Sequence, residues 1–345
     1  MRSYGWSPHW EAALQQSGAE GVPGRVVAQH RNGYRVLTDA GELTARPSGR
    51  LRRGTSPSGL PAVGDWVVLD TTRIVAVLPR RTAFQRRAAG SELQSQVVAA
   101  NIDVVWVVSA VGPGQNPRRL ERYVSLAWES GALPLVVLTK LDTIEDIEGE
   151  LLAARRVAPG GEVAIVSATR GDGIDELRAR LVTGETVVLL GPSGVGKSTL
   201  VNTLAGREIL ATAEVGDDGR GRHTTTHREL VPLANGALLL DTPGMRELGL
   251  WDADAGLDLA FADITTLAAE CRYRDCRHQA EPGCAVLDAV VRGELDPARL
   301  ESWHKLQRES AWVASLSDPL LARERRSQGR AGARLAAERI RDKGR

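Results

Sequence analysis

Gly191-Pro192-Ser193-Gly194-Val195-Gly196-Lys197-Ser198-Thr199 is the stretch on which the reading of this chain turns. A β-branched run, Thr186–Leu190, precedes it, and Leu200-Val-Asn-Thr-Leu204 follows with helical spacing. Strand, glycine loop and helix are the setting in which G-x-x-x-x-G-K-[ST] acts as a phosphate cradle. The glycines let successive backbone N–H groups face one anion at the positive end of a helix. Lys197 is placed to reach β- and γ-phosphates, and the Ser198 hydroxyl to sit on Mg²⁺. The plainer reading, a glycine-rich turn before an ordinary helix, leaves the complete motif and its flanks unexplained. The expectation is a site for a nucleoside triphosphate with Mg²⁺.

Outward from that loop, the bulk figures set bounds. The 345 residues allow two or three domains, and a chain 42% hydrophobic and 25% charged is of ordinary globular composition. Apolar runs such as Val104–Val108 are strand-sized, far short of a membrane span, and the N-terminus has no apolar leader core. A cytoplasmic protein without membrane partners is expected. Net charge is +1, so any affinity for nucleic acid must be local. Arginines do gather, at 46, 50, 52 and 53, at 80, 81, 86 and 87, and through the tail after Pro319. Such runs are either solvated faces or phosphate contacts.

Residues up to about Gly21 lack clear periodicity and read as a loosely held arm. From Gly24 to Leu78, five short alternating segments are separated by turns such as Asn32-Gly33 and Ala40-Gly41. That pattern predicts a small all-β barrel, most simply an OB-fold, either holding RNA through its arginine-rich loops or only scaffolding its neighbour. Arg80 to Ser95 is polar and reads as a linker. A βα series follows, with strands at Asp103–Ser109, Leu135–Leu138, Val163–Val166, Thr186–Leu190 and Ala237–Asp241. Asn116 and Pro117 start a helix that buries Leu120, Tyr123, Val124 and Ala127 and stops at Gly131. The series implies an α/β domain with a parallel sheet, helices on both faces and ligand loops at the strand C-ends.

Two of those loops address a base. Thr139-Lys140-Leu141-Asp142 ends one strand and Ser167-Ala168 the next. A carboxylate at Asp142 accepts from guanine N1–H and the 2-amino group but would face a lone pair of adenine, and sites of that kind discriminate by about 10⁴ or more. Lys140 would lie along base and ribose, and the Ala168 N–H would meet guanine O6. After the phosphate loop, Asp241-Thr-Pro-Gly244 offers a carboxylate to Mg²⁺ through water and an N–H to the γ-phosphate. Arg222-His223-Thr224-Thr225-Thr226, in a stretch rich in glycine and charge, is where a switch supplying a threonine to Mg²⁺ belongs, with Thr225 the candidate. In ordinary GTP-binding domains the base loops come last. Here they come first, so the domain is circularly permuted, which nearby surface termini tolerate. The guanine loops and the lack of an evident acceptor site weigh against a P-loop kinase.

All three cysteines fall in Cys271-x₄-Cys276-x-His278-x₅-Cys284. Three thiolates and one imidazole make a closed tetrahedral Zn²⁺ site of the structural kind; the alternative is a set of free buried cysteines. Beyond them Leu300, Trp303, Leu306 and Val313 recur at helical spacing and are expected to pack on that region rather than stack on RNA bases.

Taken together, these features resemble the circularly permuted, ribosome small-subunit-dependent GTPase family of the RsgA type, from about Gly24 to Trp312. The resemblance includes Gln96–Asp103, Glu121-Arg-Tyr123, Arg222–His227 and the cysteine cluster. It implies an N-terminal OB-fold, a permuted GTPase domain and a C-terminal, mostly helical zinc domain. It also implies GTP hydrolysis to GDP and phosphate on the small (30S) ribosomal subunit late in its maturation, with rRNA contacts by barrel and tail. The corresponding division is an arm at 1–23, barrel at 24–88, GTPase domain at 89–256, zinc domain at 257–318 and basic tail at 319–345, acting as a monomer. One departure concerns Thr139, where the family pattern has Asn; a hydroxyl is shorter than an amide and reaches fewer partners. Another is Met245, which follows Gly244 where many GTPases carry the glutamine that orients water. His223, ordered by the ribosome, is the candidate to take that role, unless it only packs locally. A reading from another class keeps the GTP structural and the protein an RNA-binding assembly scaffold.

Overall fold

The computed structural model describes residues 1–30, 32–87, 95–112, 115–158, 161–209, 228–241 and 254–317. The N-terminal segment is not the loose arm expected. Helix α1 (Pro8–Ser17) begins with proline at its first turn, where a missing N–H costs nothing, and buries Trp10 and Ala13. Trp6 meets the ring of Trp66 edge-on at 4.8 Å and Trp10 lies 6.0 Å from it, so the segment is held by an aromatic cluster on the barrel wall.

The barrel comprises β1 (Val22–His30), β2 (Gly33–Thr38), β3 (Gly41–Pro47), a short helix α2 (Gly49–Gly54), β4 (Trp66–Asp70) and β5 (Arg73–Val77). The first three strands form an antiparallel meander, β3 pairs β5 in parallel, β5 pairs β4, and β4 returns to β1 through Val22↔Leu69 and Arg25↔Trp66. Val26, Val36, Ala45, Val67, Leu69 and Ile74 fill the interior.

The expected linker is corrected as well. β6 (Ala83–Arg87) pairs antiparallel with β7 (Ser95–Ala100), and Phe84 is buried in the main core. The βα series then runs β8 (Val104–Ala110), α3 (Pro117–Glu129), β9 (Leu133–Thr139), α4 (Ile147–Val157), β10 (Glu162–Ile165), α5 (Ile174–Ala179), β11 (Thr186–Leu190), α6 (Lys197–Ala205), β12 (Arg228–Pro232) and β13 (Leu238–Asp241). Strands β10-β9-β8-β11-β13 lie side by side in parallel. Alternate residues go to opposite faces: Val105, Val107, Val136 and Leu138 meet Leu120 and Val124 of α3, while Trp106, Val108, Leu135 and Val137 meet Leu177 of α5 and Leu200 of α6. Burial on both faces is why these strands read as unbroken apolar runs.

β12 is antiparallel to β13 and, on its other side, to β1, through Ala28↔Glu229 and Gln29↔Arg228. Barrel and α/β unit therefore share one sheet of eleven strands. The chain continues into α7 (Asp254–Ala260), α8 (Ala262–Ala268), α9 (Ala285–Val291) and α10 (Pro297–Ser317). Gly256 lets α7 lie directly on α3, since a Cβ there would stand 2.7 Å from the Ser125 carbonyl oxygen. Arg299 of α10 is buried between Glu121 of α3, at 2.9 Å, and Asp263 of α8, at 2.6 Å, over the ring of Phe261. Among the described residues no helix is long and apolar enough to cross a membrane.

Candidate nucleotide pocket and metal centre

The C-terminal ends of the parallel strands bring the candidate loops to one edge. Gly191 leaves β11 where a Cβ would stand 2.3 Å from the Val108 carbonyl oxygen, so no side chain fits. Gly194 and Gly196 have φ of 78° and 89°, the left-handed conformation that curls the loop, and α6 starts at Lys197. Lys197 is folded over this curl, its Nζ 2.9 Å from the Gly191 carbonyl and 2.6 Å from that of Pro192. Ser198 is half-buried on the first turn and Thr199 is exposed. A cleft of about 230 Å³ runs beside the loop, between Pro192–Val195 and the start of α3 at Asn116, Arg119 and Tyr123.

The base-directed loops lie on the same edge. Lys140 takes φ 62°, turning the chain out of β9 into a 3₁₀ turn at Leu141–Thr143. The Leu141 N–H donates to the Val166 carbonyl at 3.2 Å, tying this loop to the one after β10. There the buried Ser167 donates to Asp142 Oδ1 at 2.6 Å, and its oxygen lies 3.0 Å from the Thr169 hydroxyl. That hydrogen bond is the first cause holding the exposed Asp142 carboxyl below the usual range, so the group is an anion over a wide pH span. Ala168 follows, half-buried. Thr139, 3% exposed, lies with its Oγ1 2.6 Å from the Val195 carbonyl. The candidate base loop and the candidate phosphate loop thus touch.

Asp241 ends β13, next to the phosphate-loop strand through Val188↔Leu240; its side chain, like His223, Thr225 and Gly244 as a whole, lies outside the described residues. Sequence reasoning missed Thr169 and the cleft residues on α3. The Asn116 cap, which accepts from the Arg119 N–H, was the available signal for the latter.

The cysteine segment forms a second centre. One ligand atom each from Cys271, Cys276, His278 and Cys284 lie within 4.8 Å of one another. Cys271 Sγ is 3.9 Å from Cys284 Sγ and 3.6 Å from His278 Nδ1, which is 3.4 Å from Cys284 Sγ. Tetrahedral Zn²⁺ with Zn–S of about 2.3 Å and Zn–N of about 2.0 Å requires ligand separations of roughly 3.5–3.8 Å, so the donor set fits a metal of that size. Burial and the neighbouring thiols push the Cys276 thiol up to about 11, which is the condition a bound cation relieves. Burial likewise favours neutral His278, the ligating form, whose ring packs 5.4 Å from Trp303. The Glu281 carboxylate accepts from the N–H groups of Gln279, Ala280 and Arg277, which draw its pKa down to about 2 and brace the ligand loop. Leu300, Trp303 and Leu306 pack here as expected; the side chain of Val313 is outside the described set.

A phosphate loop opening α6, base loops that precede it in the chain, a five-stranded barrel in front and a Cys₃His cluster behind define a circularly permuted P-loop protein. The comparisons agree: residues 77–251 match the family described as RsgA GTPase, and the chain belongs to that family. It is 45% identical to the small ribosomal subunit biogenesis GTPase RsgA of Opitutus terrae, over 95% of this chain and 94% of the relative. It is 43% identical to the protein of that name from Syntrophotalea carbinolica, over 98% of each. Among solved structures, YjeQ from Thermotoga maritima is similar with a TM-score of 0.62, at 26% identity, over 84% of this chain and 98% of that one. YloQ, described as a circularly permuted GTPase, shares the fold at 24% identity with a TM-score of 0.61, over 84% and 95%.

Proposed function

We propose that this protein hydrolyses GTP to GDP and phosphate while bound to the small ribosomal subunit, late in that subunit's maturation. The observation that carries the reading is the contact between Thr139, three residues before Asp142, and Val195, two before Lys197: base loop and phosphate loop can serve one nucleotide. In this reading Asp142, held ionised by Ser167, takes guanine N1–H and the 2-amino group. Lys140 and Leu141 flank the base, and Ala168 N–H meets O6. The backbone of Gly191–Thr199 wraps the phosphates. On binding, Lys197 exchanges its two loop carbonyls for β- and γ-phosphate oxygens. Ser198 and Asp241 would hold Mg²⁺, with Thr225 as the switch threonine supplied to it, and the ion would neutralise phosphate charge; the Gly244 N–H would meet the γ-phosphate, and His223 would orient the water. Water attacks the γ-phosphorus, and the bond to the β–γ bridging oxygen breaks. The relatives' name, small ribosomal subunit biogenesis GTPase, supports the partner.

For RNA, Arg50, Arg52 and Arg53 stand exposed on α2, and none forms an ion pair among the described residues, which suits phosphate contacts. The basic tail is assigned the same role. Zn²⁺ is the metal proposed for Cys271, Cys276, His278 and Cys284, in a structural capacity. The protein is read as a cytoplasmic monomer divided at residues 23, 88, 256 and 318. GTP turnover measured with and without purified small subunits tests the proposal: stimulation of tenfold or more supports it, and a rate indifferent to the subunit refutes it.

A further inference from the structure

The hydroxyl groups around the base loop are all engaged. The Thr143 hydroxyl donates to the Lys140 carbonyl at 2.8 Å. The Ser167 proton goes to Asp142, and the Thr169 hydroxyl, 3.0 Å from Ser167, hydrogen-bonds within the same Ser167–Asp142 group. Thr139 has one hydroxyl proton, and its acceptors are the Val195 carbonyl at 2.6 Å and the Ser109 carbonyl at 3.2 Å. The side chain is buried where β9 passes beneath the turn into α6, with the Gly196 Cβ position 4.0 Å from its oxygen.

We infer that Thr139 is a strut for the phosphate loop and does not read the base, so that guanine is recognised through N1, the 2-amino group and O6 while N7 goes unread. N7 is an acceptor and needs a proton. A threonine hydroxyl has only one to give, and here it is spent on a backbone carbonyl inside the protein. An asparagine at this position would have two N–H donors and could serve both. The strut acts on the phosphates: Val195 sits between Gly194 and Gly196, whose curl aims the loop's N–H groups. Thr139 is thus a positioning residue in this chain, and 7-deazaguanine nucleotides, in which N7 is a carbon, are ligands it accepts. This rests on the reading of Asp142 as the base-reading group.

The test is competition of GTP, 7-deaza-GTP and ITP against a fluorescent GDP analogue on the full chain with Mg²⁺. Wild type should bind 7-deaza-GTP within about twofold of GTP, and ITP, which lacks the 2-amino partner of Asp142, at least about tenfold more weakly. Thr139→Asn should separate GTP from 7-deaza-GTP by about three- to tenfold. Thr139→Val should weaken both equally, by about three- to tenfold, and Thr139→Ser should restore them. Wild type that prefers GTP to 7-deaza-GTP by about tenfold, while still rejecting ITP, would overturn the inference. Equal binding of GTP and ITP would instead overturn the Asp142 reading.

Discussion

Arg35 of β2 and Glu229 of β12 lie 2.8 Å apart, an ion pair that crosses from the barrel to the strand flanking β13. Glu229 stands in register with Ala28 on one side and Asp241 on the other. The side chains are 32% and 41% exposed, so water screens the pair. Arg35→Ala should cost less than about 1 kcal/mol in denaturant unfolding. A loss of several kcal/mol would show that the pair, and not the β1–β12 ladder, holds the barrel in place.

Arg25 presents the opposite case. Its guanidinium is buried and donates to the Tyr4 carbonyl at 2.8 Å, the Asn101 carbonyl at 3.2 Å and the Thr186 hydroxyl at 2.9 Å, over the ring of Trp66. Burial draws its pKa down to about 10, so it remains charged at neutral pH. Arg25→Met leaves three acceptors short of a donor, and we expect a loss of about 3 kcal/mol. The thermal midpoint of the whole chain measures it; an unchanged midpoint would contradict the account.

The Glu121–Arg299–Asp263 network joins α3 to α8 and α10. Removing Arg299 leaves the buried Glu121 carboxylate without its cation, so Arg299→Met should destabilise by about 3–5 kcal/mol, whereas Glu121→Gln, which leaves Arg299 paired with Asp263, should cost less. Adding Glu121→Met to Arg299→Met should recover part of that loss, because the buried carboxylate goes too and only Asp263, 35% exposed, is left without its partner. A double variant as unstable as Arg299→Met alone would argue against burial as the cause.

Ser167 favours the ionised form of Asp142. Binding that needs the carboxylate is full above its pKa and fades as pH falls through it. Ser167→Ala removes the hydroxyl that donates to the carboxylate, raises that pKa, and should move the acid limb of GTP binding to higher pH. Titrations of affinity for the two proteins decide this; superimposable acid limbs would exclude the role.

For the Cys₃His centre, one zinc per chain is expected by elemental analysis of protein prepared without chelator. Stripping the metal should change the emission of Trp303, whose ring neighbours His278, and lower the thermal midpoint. Cys276→Ser should do the same without chelator. A metal-free protein with unchanged emission would remove the site.

Much of this was legible in the sequence because the physics there is local. Val104–Val108 reads as a buried strand since both its faces are covered, and Asn116-Pro117 announces α3 by its own capping chemistry. Among the elements that escaped, three show why. α1 is amphipathic only against Trp66, a residue that tertiary folding brings to it. β6 carries one core residue, Phe84, among polar ones, and β12 likewise carries Leu230. In the pocket, the loops were found from their places at strand ends. That Thr139 spends its proton on Val195 depends on side-chain direction, which no spacing encodes. Nor could Arg25 be told from the exposed arginines of the same barrel before the N-terminal turn was seen to close over it.

The second edge of β1 is divided, with Val22–Arg25 bound to β4 and Ala28–Gln29 to β12. A fragment ending after the barrel would bare the latter stretch, and one beginning after it would bare β12. Unpaired edges of this sort recruit one another. Dissected pieces of this chain are therefore prone to self-association, and a piece must run from β1 through β13 for every one of the central strands to have both neighbours.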